Sequence, residues 1–197
     1  RRVSFVRVDP GYKMSNMSYP FVVAIDFGTS YSGWAYSSVD DFKISPLKIQ
    51  TGQWLGQEHL SEKAPTTILF QPDGFTFHSF GYDAESKYAD LVQKEEHRNW
   101  FFFSRFKMKI YENDDLSVNS MLQDECGKAL SALKVFSAAI LYLKDDVLNK
   151  LNNQLTRNVT AEDISWILTV PAIWDDRAKQ FMREAAILVL NQILFPL

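Results

Sequence analysis

From about Gly127 the apolar residues of this chain change period, and that change constrains the fold more than any other feature. Leu130, Leu133, Phe136, Ile140, Val147, Leu151 and Leu155 recur at helical intervals, predicting a one-sided helix of roughly 25 residues, or roughly 38 Å at 1.5 Å each. Asn152, Asn153 and the polar stretch to Asn158 end it, and Thr160 with Asp163 offers a capping turn before Ile164. Ile164 to Val170 reads as a buried strand closed by Pro171, and Asp175 to Leu190 as a helix with two acids at its positive end. Before Gly127 the grammar is that of strands. Phe21 to Asp26 is a short buried strand, Tyr31 to Ser37 pairs with it as a hairpin, and Lys48 to Thr51, Thr66 to Phe70 and Phe75 to Phe77 follow. Gln71, Pro72, Asp73 and Gly74 supply a turn between the last two, so the middle is expected as a β-meander. The 39–63 stretch is expected as loop with one strand inside. Strands followed by helix, strand and helix make this α/β.

Composition narrows the partners. There are 21 Lys and Arg against 24 Asp and Glu, a net charge of −3, which argues against nucleic acid because a phosphate backbone is held by clustered positive charge. With 46% apolar and 23% charged residues the chain can build a core and is not a disordered tail. Its single cysteine, Cys126, excludes an internal disulfide and fits a reducing compartment. No apolar run nears the ~20 residues that cross a bilayer, and none near the start has the length of a secretory leader. The expectation is a cytoplasmic protein with no membrane span, with the sequons at Asn16 and Asn158 unmodified. Residue 1 is not Met, whereas Met14 and Met17 could each begin a chain, so residues 1–19 are expected as an upstream or disordered segment and 20–197 as one lobe. His59, His78 and His97 lack a shared-metal spacing and read as surface residues, while the aromatic run Trp100 to Phe103 reads as a core edge. Cys126 lies between Glu125 and Gly127, where nearby acids would raise its thiol pKa, so it is not read as reactive.

The stretch with the most chemistry is Asp26-Phe27-Gly28-Thr29-Ser30-Tyr31-Ser32-Gly33, where one strand turns into the next. Gly28 permits a positive φ and a close backbone approach to an anion, so successive N–H groups can point at a polyphosphate. Thr29 and Ser30 add hydroxyl donors. Asp26 can accept hydrogen bonds from the water shell of Mg²⁺, which stays partly hydrated when it bridges phosphates. The alternative is a plain hairpin in which Asp26 and Gly28 serve only the turn. Protein-kinase chemistry is excluded, because its DFG triplet follows an HRD loop and here the only similar triplet, His97-Arg98-Asn99, comes later and lacks the acid. A P-loop is excluded because no Gly-Lys-Ser/Thr turn occurs.

Taken with a second stretch, Val170-Pro171-Ala172-Ile173-Trp174-Asp175-Asp176, this loop resembles the opening half of the nucleotide-binding domain of the heat shock protein 70 family. The resemblance is closer still to the divergent heat shock 70 kDa protein 12 subfamily. It is carried by AIDFGTSYSGWAYS from Ala24, by the FxxRFKMK pattern at Phe102 to Lys109, and by ILTVPAIWDDRAKQFMREAA from Ile167. The resemblance implies an actin-like, ribonuclease-H-like fold with ATP or ADP and Mg²⁺ in a cleft between two lobes, and a chaperone ATPase whose further partners are client or co-chaperone proteins. Carried over by position, Asp26 is the Mg²⁺-water carboxylate, and Gly28, Thr29, Ser30 and Tyr31 form the first phosphate loop. The family's lysine that reaches the γ-phosphate falls on Arg105-Phe106-Lys107, so Arg105 or Lys107 inherits its catalytic role, although an arginine cannot donate a proton. The alternative for Arg105, Lys107 and Lys109 is the wet face of a half-buried strand. Pro171 matches the proline that couples nucleotide state to the partner domain, with Ile173 in place of the usual tyrosine.

The family's second phosphate loop, Glu-Pro catalytic acid and adenine site do not occur in the chain, so it is expected to represent the first lobe only. Phosphoryl transfer depends on positioning and charge stabilisation from both sides, so half a clamp should bind ATP weakly and not turn it over. Two further readings stay open. Half a carbohydrate kinase would share the fold and the I-D-x-G-T-S opening but has no reason to carry VPAIWDD, and a non-catalytic interaction module would keep the fold without the nucleotide.

Overall fold

The computed structural model describes residues 3–8, 19–56, 59–111, 116–172 and 174–190. Strands β1 (Val3–Val8), β2 (Phe21–Asp26) and β3 (Tyr31–Ser38) lead to a short helix, α1 (Val39–Ile44). The two-residue strands β4 (Gln50–Thr51), β5 (Trp54–Leu55), β6 (Leu60–Ser61) and β7 (Ala64–Pro65) follow. Next come β8 (Thr67–Phe70), β9 (Phe77–Phe80), α2 (Tyr82–Gln93), β10 (Phe101–Ser104) and α3 (Lys107–Tyr111). A small hairpin, β11 (Met121–Gln123) and β12 (Ala129–Ser131), precedes α4 (Ala132–Gln154), β13 (Ile164–Pro171) and α5 (Asp176–Leu190).

The main sheet runs β1-β13-β2-β3-β4, with β7 also pairing β3. Among the described strands only β13 and β2 are parallel, with Ile164 opposite Phe21 and Thr169 opposite Asp26. The two strands therefore run side by side as far as Asp26, with β13 continuing to Pro171, and the carboxyl ends of parallel strands are where ligands bind in α/β sheets. Alternation decides the faces. Phe21, Val23 and Ile25 of β2, Trp34 and Tyr36 of β3, and Trp166, Leu168 and Val170 of β13 are buried on one side. Helix α4 packs on β2 and β3, and α5 on α4 and β1. Its buried stripe of Val135, Phe136, Ala139, Ile140, Leu143, Val147 and Leu151 explains why α4 forms, since each fully buried large apolar side chain contributes roughly 1.5–3 kcal/mol. Trp34 Nε1 donates to Asp146 at 2.7 Å and Tyr36 Oη to Gln154 at 2.6 Å, tying helix to sheet through the polar ends of core aromatics.

The second sheet, β10-β8-β9, differs from the expected meander. After the β8–β9 hairpin the chain crosses through α2 and returns as β10 on the other edge of β8, so β8 lies in the centre. Leu69 and Phe102 on one face meet Ala84 and Leu91 of α2, while Ile68, Phe70 and Phe103 face the main core. The run Trp100 to Phe103 is thus a core edge, as expected. Other boundaries shift for identifiable reasons. Asp73 accepts from the Phe75 and Thr76 amides, both at 2.8 Å, which keeps those residues in the turn and delays β9 to Phe77. Ser131 caps α4, so Leu130 belongs to β12 and Leu155 lies just past the helix end. The 39–63 stretch holds α1 and short strands beyond the one expected. Residues 3–8, which fall in the segment expected as upstream or disordered, form the strand β1, paired with β13 from Trp166 to Pro171. Met14, Met17 and Asn16 lie outside the described residues.

Candidate functional site

The β2–β3 turn is fastened from below. Ser32, fully buried, accepts from the Gly28 amide at 3.2 Å and shares a 2.8 Å hydrogen bond with Thr66. Thr66 Oγ1 also donates to the Gly28 carbonyl at 2.9 Å, and its amide donates to the Ser30 carbonyl at 2.9 Å. The Gly28 and Ser30 carbonyls are consumed while the turn's outer edge stays open: Ser30 and Tyr31 are exposed and Thr29 is half-buried. Among the described residues, the Thr29 and Ser30 amides form no hydrogen bond. Gly28 does not take the expected positive φ; among the described glycines that conformation belongs to Gly74, Gly81 and Gly127. What requires glycine is space, since a Cβ there would stand 2.0 Å from the Tyr31 carbonyl oxygen.

Asp26, at the end of β2, receives a hydrogen bond from Thr169 Oγ1 at 2.8 Å and an ion pair from Lys63. Burial pushes its carboxyl up, but the hydrogen bonds from Lys63 and Thr169 and the charges of Lys63 and Lys107 outweigh it, holding the group below the usual carboxylate value. Lys107 is only 4% exposed. Its Nζ donates to the Phe27 carbonyl and lies 5.0 Å from the Trp174 ring centroid and 5.8 Å from that of Phe27. Burial pulls its pKa down to about 8, with Asp26 offsetting part of the drop.

The structure brings together Asp26, Gly28, Thr29, Ser30 and Lys107, and separates Arg105 from them. Arg105 sits exposed at φ 46 in the turn before α3, and its side chain forms no hydrogen bond or ion pair among the described residues. The alternating strand expected through Arg105, Lys107 and Lys109 is absent. A strand would bury Met108 with Phe106 and Ile110; instead Phe106 is buried just ahead of α3, and α3 buries Lys107 and Ile110 and leaves Met108 43% exposed, the spacing of a helical turn. Tyr31 opens β3, with its ring exposed. Pro171 ends β13, its carbonyl accepting from Trp174 N at 3.2 Å, and Ile173 lies outside the described residues. Lys63, Thr66 and Thr169 escaped the sequence reading. Thr169 lay inside the quoted ILTVPA run, but nothing distinguished Lys63 from any surface lysine.

One carboxylate beside open backbone amides, a buried lysine and an exposed one suits an anion that brings its own hydrated cation. Among the described residues no group of three metal-ligating side chains occurs, so a metal here would be held largely by water and phosphate, as Mg²⁺ prefers. A groove of about 630 Å³ lies at the opposite end of β2, between Phe21, Tyr36 and Arg157. The candidate site is an open edge. His59 and His78 are exposed, His97 is half-buried, and none joins a metal cluster among the described residues. No described helix is long and apolar enough to cross a membrane.

No protein-family model matches the chain. It is 44% identical over 172 residues to heat shock 70 kDa protein 12B of Homo sapiens, covering 87% of this chain and 24% of that protein. It is 43% identical over 168 residues to heat shock 70 kDa protein 12A of Mus musculus, covering 84% and 24%. To heat shock 70 kDa protein 12A of Homo sapiens it is 41% identical over 172 residues, covering 86% and 25%. The chain thus spans about a quarter of the length of the curated relatives it matches. The resemblance read from the motifs is borne out: the chain is a relative of the heat shock 70 kDa protein 12 proteins.

Proposed function

We propose that this chain is the first lobe of an actin-like nucleotide-binding domain, which binds the phosphates of ATP or ADP with Mg²⁺ and serves a heat-shock-70-type protein as part of a nucleotide-driven switch. The observation that carries the reading is convergence. DFGTSYS, RFKMK and VPAIWDD, far apart in sequence, meet where Lys107 touches the Phe27 carbonyl and the Trp174 ring. In this reading the Thr29 and Ser30 amides and hydroxyls receive phosphate oxygens, as free N–H groups in a turn do. Lys107 supplies positive charge from a dry position, where it acts more strongly than in water. Asp26 orients the water shell of the metal, and Thr169 fixes the carboxylate's rotation. Mg²⁺, when bound, neutralises phosphate charge.

In the longer protein, closure of a second lobe over the same phosphates would make γ-phosphate contacts differ between open and closed states, which is the condition for a ligand to shift that balance. Chaperone work on client proteins, co-chaperone partners and a cytoplasmic location belong to the same proposal, supported by the motif resemblance alone. Those names give the carbohydrate-kinase alternative no support. Titration of fluorescently labelled ATP with Mg²⁺ should show saturable binding to the wild type that Asp26→Asn weakens, without hydrolysis above the uncatalysed rate. Equal binding by both proteins, or none by the wild type, would overturn the assignment.

A further inference from the structure

Both Asp26 oxygens are taken, one by Thr169 and the other by Lys63. Lys63 reaches Asp26 by a route built into the sheet. It stands just ahead of β7, which pairs with the first residues of β3, Tyr31 with Pro65 and Ser32 with Ala64. The next residue of β3, Gly33, is registered directly opposite Asp26. Residues opposite one another in an antiparallel pair share a face, so a side chain at Gly33 would stand beside the carboxylate. That space belongs to the lysine: a Cβ on Gly33 would lie 3.2 Å from Lys63 Cγ and 2.9 Å from the Glu62 carbonyl oxygen. The side chains of Lys63 and Asp26 are 48% and 46% exposed, so the pair lies where a hydrated cation would approach.

We propose that Lys63 is a resident counter-cation for Asp26, holding the carboxylate oxygen while the loop is empty and yielding it when a hydrated divalent cation arrives with a polyphosphate. This role rests on the nucleotide reading above and extends it to the order of binding. Asp26 carries one negative charge against the two positive charges of Lys63 and Lys107, so the empty site already has a surplus positive charge. A divalent cation arriving alone must displace an ammonium into that like-charged surface. Arriving with a polyphosphate, it releases Lys63 beside an anion that can take its charge. Metal and nucleotide therefore favour each other's binding, and by linkage each raises the other's affinity by the same factor. Lys63 acts through Asp26 and is a positioning residue.

The test is a Mn²⁺ titration of the 197-residue chain without nucleotide, following free Mn²⁺ by electron paramagnetic resonance. Lys63→Met should bind Mn²⁺ roughly fivefold more tightly than the wild type, the upper end of what a half-exposed ion pair supplies. Lys63→Arg should stay as weak as the wild type because it keeps the charge, and adding Asp26→Asn to Lys63→Met should abolish the gain. Should Lys63→Met fail to fold, Lys63→Gln carries the same expectation. Unchanged or weaker Mn²⁺ affinity in the neutral variants, or an equal gain in Lys63→Arg, overturns the proposal. Labelled-ATP binding on the same samples reports the nucleotide reading separately. A metal response without ATP binding would keep the lysine's role and remove the nucleotide, while ATP binding without a metal response would do the reverse.

Discussion

Lys107 is the residue whose placement should cost the fold most, and Lys107→Met measures that cost. Burial lowers the ammonium's pKa from the ordinary 10.5 to about 8 in the folded chain. At 1.36 kcal/mol per pKa unit, the difference of 10.5 minus 8 disfavours the charged folded form by about 3 kcal/mol. The sign follows from proton counting. Between pH 8 and 10.5 the unfolded lysine keeps a proton that the folded one has lost, so wild-type stability gains with pH across that window. Below pH 8 both states are charged and the full cost is present; above 10.5 both are neutral and it is gone. Methionine removes the titration and leaves the Phe27 carbonyl without its lysine donor, costing roughly 1–2 kcal/mol at every pH. Urea unfolding of both proteins should therefore find the variant more stable by about 1–2 kcal/mol at pH 7 and less stable by a similar amount at pH 10.5. Buried Tyr36 and half-buried Tyr88 and Tyr142, whose pKa values are raised, titrate in both proteins and cancel in the difference. A difference that stays flat from pH 7 to 10.5 would refute the burial of a charged lysine here. A crossover would identify a residue kept against the interest of stability, as functional sites often require.

Two further substitutions probe the site's frame and its anchoring helix. Gly28→Ala would press a methyl against the Tyr31 carbonyl and should cost about 2–3 kcal/mol in urea unfolding while weakening labelled-ATP binding; a loss below about 0.5 kcal/mol would show that the turn is not space-limited. Burial raises the Asp146 carboxyl pKa against the opposing indole hydrogen bond of Trp34 and charge of Lys150, so the folded protein holds this proton more tightly than the unfolded chain. Its favourable contribution is present at acid pH and lost as pH rises through the raised value. Asp146→Asn keeps an acceptor for the indole and should raise the melting temperature at pH 7 but not near pH 3. An equal rise at both would point to a cause other than titration.

How much of this was legible beforehand depends on the range of the interaction that decides it. The amphipathic run from Leu133 to Leu151, the strand Phe21–Asp26 and the capping turn of Thr160 and Asp163 follow from neighbours within a few residues, and each forms much as its pattern implies. The stretch from Arg105 to Ile110 does not, because its apolar residues alternate and yet fit a helical turn equally well, and only packing against Phe27 and Phe136 chose the helix. Its basic residues were equivalent candidates until the positive φ of Arg105 turned that side chain outward and the start of α3 turned Lys107 inward.

Local patterns along the chain set the elements and the chemistry available to them: an acid ending a strand, a glycine turn rich in hydroxyls, and a proline-stopped parallel partner. Tertiary structure decided which groups meet. Asp26 takes Lys63 from 37 residues away and Thr169 from 143, and the Phe27 carbonyl takes Lys107 from 80. Local patterns carry no record of such separations. Sheet register sets them, and here it places Thr169 and Gly33 on either side of Asp26 and leaves the space over Gly33 for a lysine.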